Sequence, residues 1–285
     1  MSDAQATSVL LTVNGLKLHH LDWGNQTAPA LVCVHGLSGN AHAFDGPARR
    51  LRDRFHVIAA DVRGRGDSAW STEGAYSQSD YVADLEGVVD ALGLQRFSLC
   101  GTSMGGRIAM EYAGRHPERL QRLVINDIGP DAEAGSDRIT RNQATVPESF
   151  ANLDEAVAYR GSTSPVFAGL GLEEQRSRMQ FDLRRGEAGR LYWKHDPEWQ
   201  RQRVDKGTPT YGYLWDVLAR LDLPTLVIWG TASDVLSESQ ARRMVEVLPK
   251  GELVSVAGVG HAPTLNEPEA VAGLDRFLAP VPAAR

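Results

Sequence analysis

The chain has little of what most specialised protein classes require. Only two of its 285 residues are cysteines, and 30 lysines and arginines face 36 aspartates and glutamates, a formal net charge of −6. Two cysteines cannot form the framework of a small disulfide-stapled fold, and both Cys33 and Cys100 lie in apolar, strand-like runs that suit buried free thiols. An acidic chain with no basic excess cannot neutralise a phosphate backbone or an anionic bilayer, which argues against nucleic-acid and membrane partners. No apolar run reaches the length needed to span a bilayer. The opening MSDAQATSVL lacks the basic start and apolar core of a secretion signal, so a cytoplasmic location is expected. A hydrophobic content of 42% and a charged content of 23% are those of a globular protein.

What is present is an alternation. Eight short apolar runs occur: VLLTVNG and LKLHHLDWG, joined by a hairpin turn at Asn14-Gly15, then 30–36, 55–64, 97–101, 123–129, 225–230 and 252–258. Several are unbroken Val/Ile/Leu stretches, the pattern of parallel strands covered on both faces. Helical spacing of apolar residues falls between them, at 41–53, 80–92, 104–115, 238–248 and 267–278. This predicts an α/β fold: an eight-stranded, mostly parallel sheet with right-handed crossovers, begun by an antiparallel hairpin. Residues 131–215 break the rhythm, with no convincing strand and with Tyr192, Trp193, Trp199, Tyr211, Tyr213 and Trp215 crowded near their end. A stretch of that length is too long for a plain loop. It reads as a helical cap inserted after strand six, leaving 1–130 and 216–285 as the core domain and lying over the carboxyl ends of the strands, where open α/β sheets bind ligands.

Within this pattern, Gly101-Thr102-Ser103-Met104-Gly105 fits G-x-S-x-G at a strand-to-helix junction. A reversal within one residue strains the serine backbone and leaves no room for a Cβ at the flanking positions. A serine hydroxyl becomes a useful nucleophile only when a base takes its proton and a third group orients the base. His261, on the Gly-rich loop after the last strand (VAGVGHAPTLNEP), is the expected base. Asp234, four residues past Gly230 in LVIWGTASDVLS, is the expected acid, with Asp127 at the end of strand six in reserve. Two backbone N–H groups are expected to face the oxyanion: that of Met104, directly after the nucleophile, and that of Leu37, after His35-Gly36.

Together these segments resemble the α/β-hydrolase superfamily, in the group with a cap between strands six and seven. The resemblance rests on His35-Gly36-Leu37, DVRGRGDS (61–68), GTSMG (101–105), NDIGP (126–130), Asp234, and His261 followed by NEP, and covers nearly the whole chain. One departure stands out: many relatives place the acid three residues after the glycine of strand seven, not four. Ser103 at the elbow sets the chain apart from relatives that use Asp there, such as haloalkane dehalogenases and epoxide hydrolases. The HGLSGN loop looks closer to carboxylesterases, enol-lactone hydrolases and perhydrolase or haloperoxidase-type enzymes than to ring-cleavage carbon–carbon hydrolases. The resemblance implies hydrolysis of a small, largely apolar ester, thioester or lactone through an acyl-enzyme. It implies no organic cofactor, and the His and Cys spacings suggest no metal site. A carbon–carbon hydrolase, a perhydrolase-type enzyme and a non-catalytic small-ligand receptor on the same scaffold are the alternatives. A monomer or a homodimer is expected. The cap aromatics suit either an apolar pocket or packing onto the sheet, and Arg138, Arg141, Arg160, Arg184 and Arg185 suit either a substrate carboxylate or a solvated helix face.

Overall fold

The computed structural model describes residues 5–207 and 209–279. Its strands and helices follow the alternation read from the sequence. The hairpin β1 (Thr7–Val13) and β2 (Leu16–Asp22) turns at Asn14-Gly15, where both residues take positive φ (51° and 77°). There follow β3 (Ala30–Val34), α1 (Asp45–Leu51), β4 (His56–Ala60), α2 (Gln78–Ala91), β5 (Phe97–Thr102), α3 (Met104–Arg115) and β6 (Leu120–Asn126). The segment between β6 and the next long strand carries α4 (Ala134–Gln143), β7 (Ser149–Phe150), α5 (Leu153–Thr163), α6 (Pro165–Ala168), α7 (Leu172–Asp182), β8 (Leu183–Arg185), β9 (Leu191–Trp193), α8 (Pro197–Lys206) and α9 (Leu214–Arg220). The chain closes with β10 (Thr225–Gly230), α10 (Glu238–Val247), β11 (Gly251–Val256) and α11 (Pro268–Phe277).

Eight strands form one sheet in the order β1-β2-β4-β3-β5-β6-β10-β11. The first hairpin and the β2–β4 pair are antiparallel, and the remaining pairs are parallel. Alternate side chains of each central strand enter two separate cores. Val32, Val34, Leu99, Leu123, Ile125 and Val227 pack with α2, α3, α9 and α10 on one face, whereas Leu31, Cys33, Cys100, Val124, Leu226 and Ile228 pack with α1 and α11 on the other. That is why these strands read as unbroken apolar runs: neither face is left to water. Cys33 and Cys100 are register partners on β3 and β5, buried and free, and the hydrogen bond between them together with burial raises the Cys33 thiol pKa.

Two expectations change. The stretch 131–215 is not strandless, because β7, β9 and β8 form a small antiparallel sheet over which Phe150, Tyr159 and Trp193 pack edge to face. Strands of two or three residues are too short to show a period in sequence. The boundary expected at 215 also falls inside α9, whose Leu214 and Leu218 are fully buried in the same core as α3.

Close approach of α3 to the sheet is what the G-x-S-x-G glycines permit. A Cβ on Gly105 would lie 2.1 Å from the Val34 carbonyl oxygen, and one on Gly101 would lie 2.2 Å from the Gly105 carbonyl oxygen. Backbone atoms cannot swing aside, so the helix would have to move. Gly105→Ala is therefore expected to lower stability by about 3 kcal/mol or more, in the range of severe core overpacking; chemical denaturation measures it, and a loss below about 1 kcal/mol would contradict the packing argument.

Burial also fixes the pH response of the sheet. It lowers the pKa of His20, on β2, to about 4, and it lowers that of His35, at the end of β3. Unfolded, both titrate near about 6.5. The unfolded chain then holds more protons than the folded one between roughly pH 4 and 6.5, so stability rises with pH in that window and falls on acidification. A melting temperature at pH 4.5 lower than at pH 7.5 by roughly 5 °C is expected. No decrease between pH 7 and 5 would show that these histidines are not held neutral.

Candidate active site

The site is assembled at the carboxyl ends of β3, β5, β6 and β10. Ser103 stands at the junction of β5 and α3 with φ 54° and ψ −120°, a conformation that non-glycine residues rarely adopt. The strained turn is held by the hydrogen bond from Ser103 N–H to the Asn126 carbonyl and by the α3 amides of Gly106 and Arg107, which donate to the Ser103 carbonyl. The hydroxyl is thereby presented at the helix N-terminus. Its Oγ lies 2.8 Å from His261 Nε2.

The other ring nitrogen of His261 decides the acid. Nδ1 lies 2.8 Å from Asp127 Oδ2. Asp127 follows β6 in a positive-φ turn (55°), is fully buried, and donates its own N–H to the Ile228 carbonyl. Its carboxylate also accepts from the Gly230 N–H at 2.9 Å and from the Ser233 hydroxyl at 2.7 Å. Asp234 is not brought to the histidine, which corrects the expectation drawn from its loop. It is half-exposed and makes a bidentate ion pair with Arg138 of α4, at 2.6 and 3.0 Å, which together with that cation's field lowers its pKa. Ser233, three residues after Gly230, occupies the position where many relatives carry the acid, and its side chain donates to Asp127. The departure in spacing noted in the sequence was the signal that the carboxylate comes from β6.

The loop after β3 is fixed from behind. His35 Nε2 accepts from the Val62 N–H at 3.0 Å, so its protonated Nδ1 donates to the Gly36 carbonyl at 2.7 Å. Asp61 reinforces the same corner, accepting from Ala41 N–H (2.6 Å), Asp67 N–H (2.9 Å) and His19 Nδ1–H (2.7 Å). Burial disfavours the Asp61 charge, but the hydrogen bonds from His19 and the Asp67 amide outweigh it and hold its pKa below the usual carboxylate range. The DVRGRGDS segment is thus a brace for the His-Gly loop. With Gly36 this close, a Cβ there would lie 3.2 Å from Ser103 Cβ, and Leu37 lines the same cavity as Ser103. Neither the Leu37 N–H nor the Met104 N–H has a hydrogen-bond acceptor among the described residues.

His19, Asp61 and Asp67 bring candidate ligand atoms within 4.8 Å of one another, but the hydrogen bonds above already engage both Asp61 oxygens and His19 Nδ1, and Lys194 pairs with Asp67 at 2.7 Å. Above the site, the stretch between β6 and β10 supplies Arg138, Tyr159, Phe167 and Trp193 to a cavity that also contains Ser103 and His261. Trp193 lines this cavity and donates to the Pro147 carbonyl, Trp199 is buried, and Trp215 packs against the core with its indole donating to Asp131. Arg184 and Arg185 are exposed on β8. No described helix is long and apolar enough to cross a membrane.

Residues 29–268 match the family model of the alpha/beta hydrolase fold. A solved alpha/beta hydrolase from Novosphingobium aromaticivorans is 30% identical and superimposes with a TM-score of 0.84 over 96% of this chain and 98% of that one. A 3-hydroxybutyrate-oligomer hydrolase from Cupriavidus necator is 29% identical across 98% of this chain and 99% of its own length. Lipase 1 of Psychrobacter immobilis is 23% identical across 93% of this chain and 81% of its own. With this fold, this sheet order and a family match over most of its length, the chain belongs to the alpha/beta-hydrolase fold family and is a hydrolase of that fold.

Proposed function

We infer that the chain is a serine hydrolase of small carboxylic esters, acting through Ser103 as nucleophile, His261 as base and Asp127 as the acid that orients it. The continuous line from Ser103 Oγ through His261 to Asp127 Oδ2, 2.8 Å at each step, carries this reading. Nε2 takes the hydroxyl proton as Ser103 attacks the ester carbonyl, while the imidazolium is stabilised by the carboxylate behind it. The free N–H groups of Leu37 and Met104 receive the oxyanion, each contributing about 3 kcal/mol to the transition state. His261 then protonates the departing alcohol, and the same nitrogen activates the water that releases the acid. The segment from residue 131 to the start of α9 acts as the cap that closes this space from water. Similarity to an oligomer hydrolase and to lipases supports ester cleavage over the receptor reading.

The assignment of the acid is tested by two isosteric variants with a short p-nitrophenyl ester. Asp127→Asn is expected to lower kcat by about 10³–10⁴-fold, as loss of the orienting carboxylate does in serine hydrolases generally. Asp234→Asn, which removes only a half-exposed ion pair, should stay within about threefold of the parent. The reverse pattern would return the role to Asp234. Ser103→Ala is expected to abolish multiple turnovers, with a fall of at least about a thousandfold; a variant that still turns over freely would sink the serine mechanism.

A further inference from the structure

Ser103 lies where two cavities meet. One, of about 270 Å³, also contains His261. The other, of about 490 Å³, reaches Ser103, Leu37 and Met104 but not His261. On the proposed mechanism the histidine must hand a proton to the leaving oxygen, so the alcohol belongs in the first cavity and the acyl chain in the second.

The second cavity is cationic. Arg107 sits one helical turn after Ser103 on α3 and is buried; its Nε and Nη2 donate to the carbonyls of Gly129 (3.1 Å) and Asp131 (3.3 Å), and its guanidinium lies 4.4 Å from the Tyr211 ring. Arg203 approaches from α8, with Nε donating to Thr140 Oγ1 at 2.9 Å. Among the described residues neither guanidinium forms an ion pair with a carboxylate. The acids that attract them stay beyond that distance, and Asp131 is already engaged by the Trp215 indole and Arg243. Burial lowers the pKa of both, that of Arg107 to about 10, and the field of Arg203 adds to the effect on Arg107. Arg65 lines the same wall, its Nε and Nη1 donating to the Leu37 and Arg63 carbonyls and the Tyr81 hydroxyl and its Nη2 to the Met104 sulfur at 3.9 Å. The one carboxylate of the lining, Asp80, caps α2 and faces Arg63 at 3.8 Å. Trp199, also in the lining, has a buried indole N–H with no acceptor among the described residues. Two like charges at least partly withdrawn from water, facing one pocket with no carboxylate in direct contact, are costly, and an anion between them lowers the cost.

We propose that this cavity binds the free carboxylate of a dicarboxylic half-ester, held between Arg107 of the core and Arg203 of α8 while Ser103 attacks the esterified end. Attack forms the Ser103 ester and expels the alcohol with the proton from His261; water then cleaves that ester and the diacid leaves.

The experiment compares mono-phenyl esters of succinic, glutaric and adipic acids with phenyl esters of the chain-matched monocarboxylic acids, each corrected with Ser103→Ala. At least one half-ester should exceed its neutral partner in kcat/KM by about tenfold, the size of one charge-assisted contact. Arg107 anchors two backbone carbonyls, so the test variant is Arg203→Gln, which should collapse that ratio. The exposed Arg201→Gln, on the same helix but paired with Glu198, should not change it. Preference for the neutral esters at every length, an unchanged ratio in Arg203→Gln, or a carboxylate preferred on the alcohol arm (the butyrate ester of 4-hydroxybenzoate) would each overturn the proposal. Calorimetry of glutarate binding to Ser103→Ala, and its loss in the Ser103→Ala/Arg203→Gln double variant, decides the anion site even if no ester is turned over. Ser103-dependent turnover of neutral esters without glutarate binding would leave the esterase reading standing and remove this one.

Discussion

Asp127 ties the site together. Its buried carboxylate accepts hydrogen bonds from the Gly230 amide at the end of β10, the Ser233 hydroxyl in the loop beyond, and the His261 ring from the loop after β11. A carboxylate withdrawn from water is tolerated only when its oxygens are satisfied, and here the donors come from two stretches far apart in sequence, the end of β10 with its loop and the loop after β11. Removing the carboxylate would therefore do more than delete one member of a line: it would release the restraint that orients the imidazole and orphan the donors that converge on it.

The rest of the site is braced in the same manner. Ser103 is held in a strained conformation by the sheet on one side and by α3 on the other, and the strain persists because neighbouring glycines let backbone pack against backbone. The His-Gly loop is pinned through His35, whose neutral form is required because Nε2 must accept from Val62. Asp61 anchors the corner from which both this loop and the DVRGRGDS segment depart. The geometry around Ser103 is thus supported from behind by buried polar groups.

Over this rigid floor the segment between β6 and β10 has a different character. It meets the core through specific contacts, among them Asn40 with Asp182 at 2.6 Å, His42 stacked on Phe181, and Asp234 with Arg138. Along this seam arginines from both sides, Arg107 and Arg203, face a shared cavity.

Much was legible beforehand because period and punctuation are local. Unbroken apolar runs marked doubly covered strands, G-x-S-x-G marked the elbow, and the Gly-rich loop marked His261. Asp234 was misread for a physical reason: an aspartate after a strand is equally a turn former, an ion-pair partner or an orienting acid, and only its neighbours in space decide. The strands β7, β8 and β9 were too short to show a period, and that Arg107 and Arg203 face one cavity was invisible because only neighbours in space decide it. By itself the sequence determined the strands and the elbow turn and singled out Ser103 and His261, since each of these is marked by residues a few positions apart. The tertiary structure alone decided which carboxylate meets the imidazole and which charges meet each other, because those distances are set by how strands far apart in the chain lie side by side.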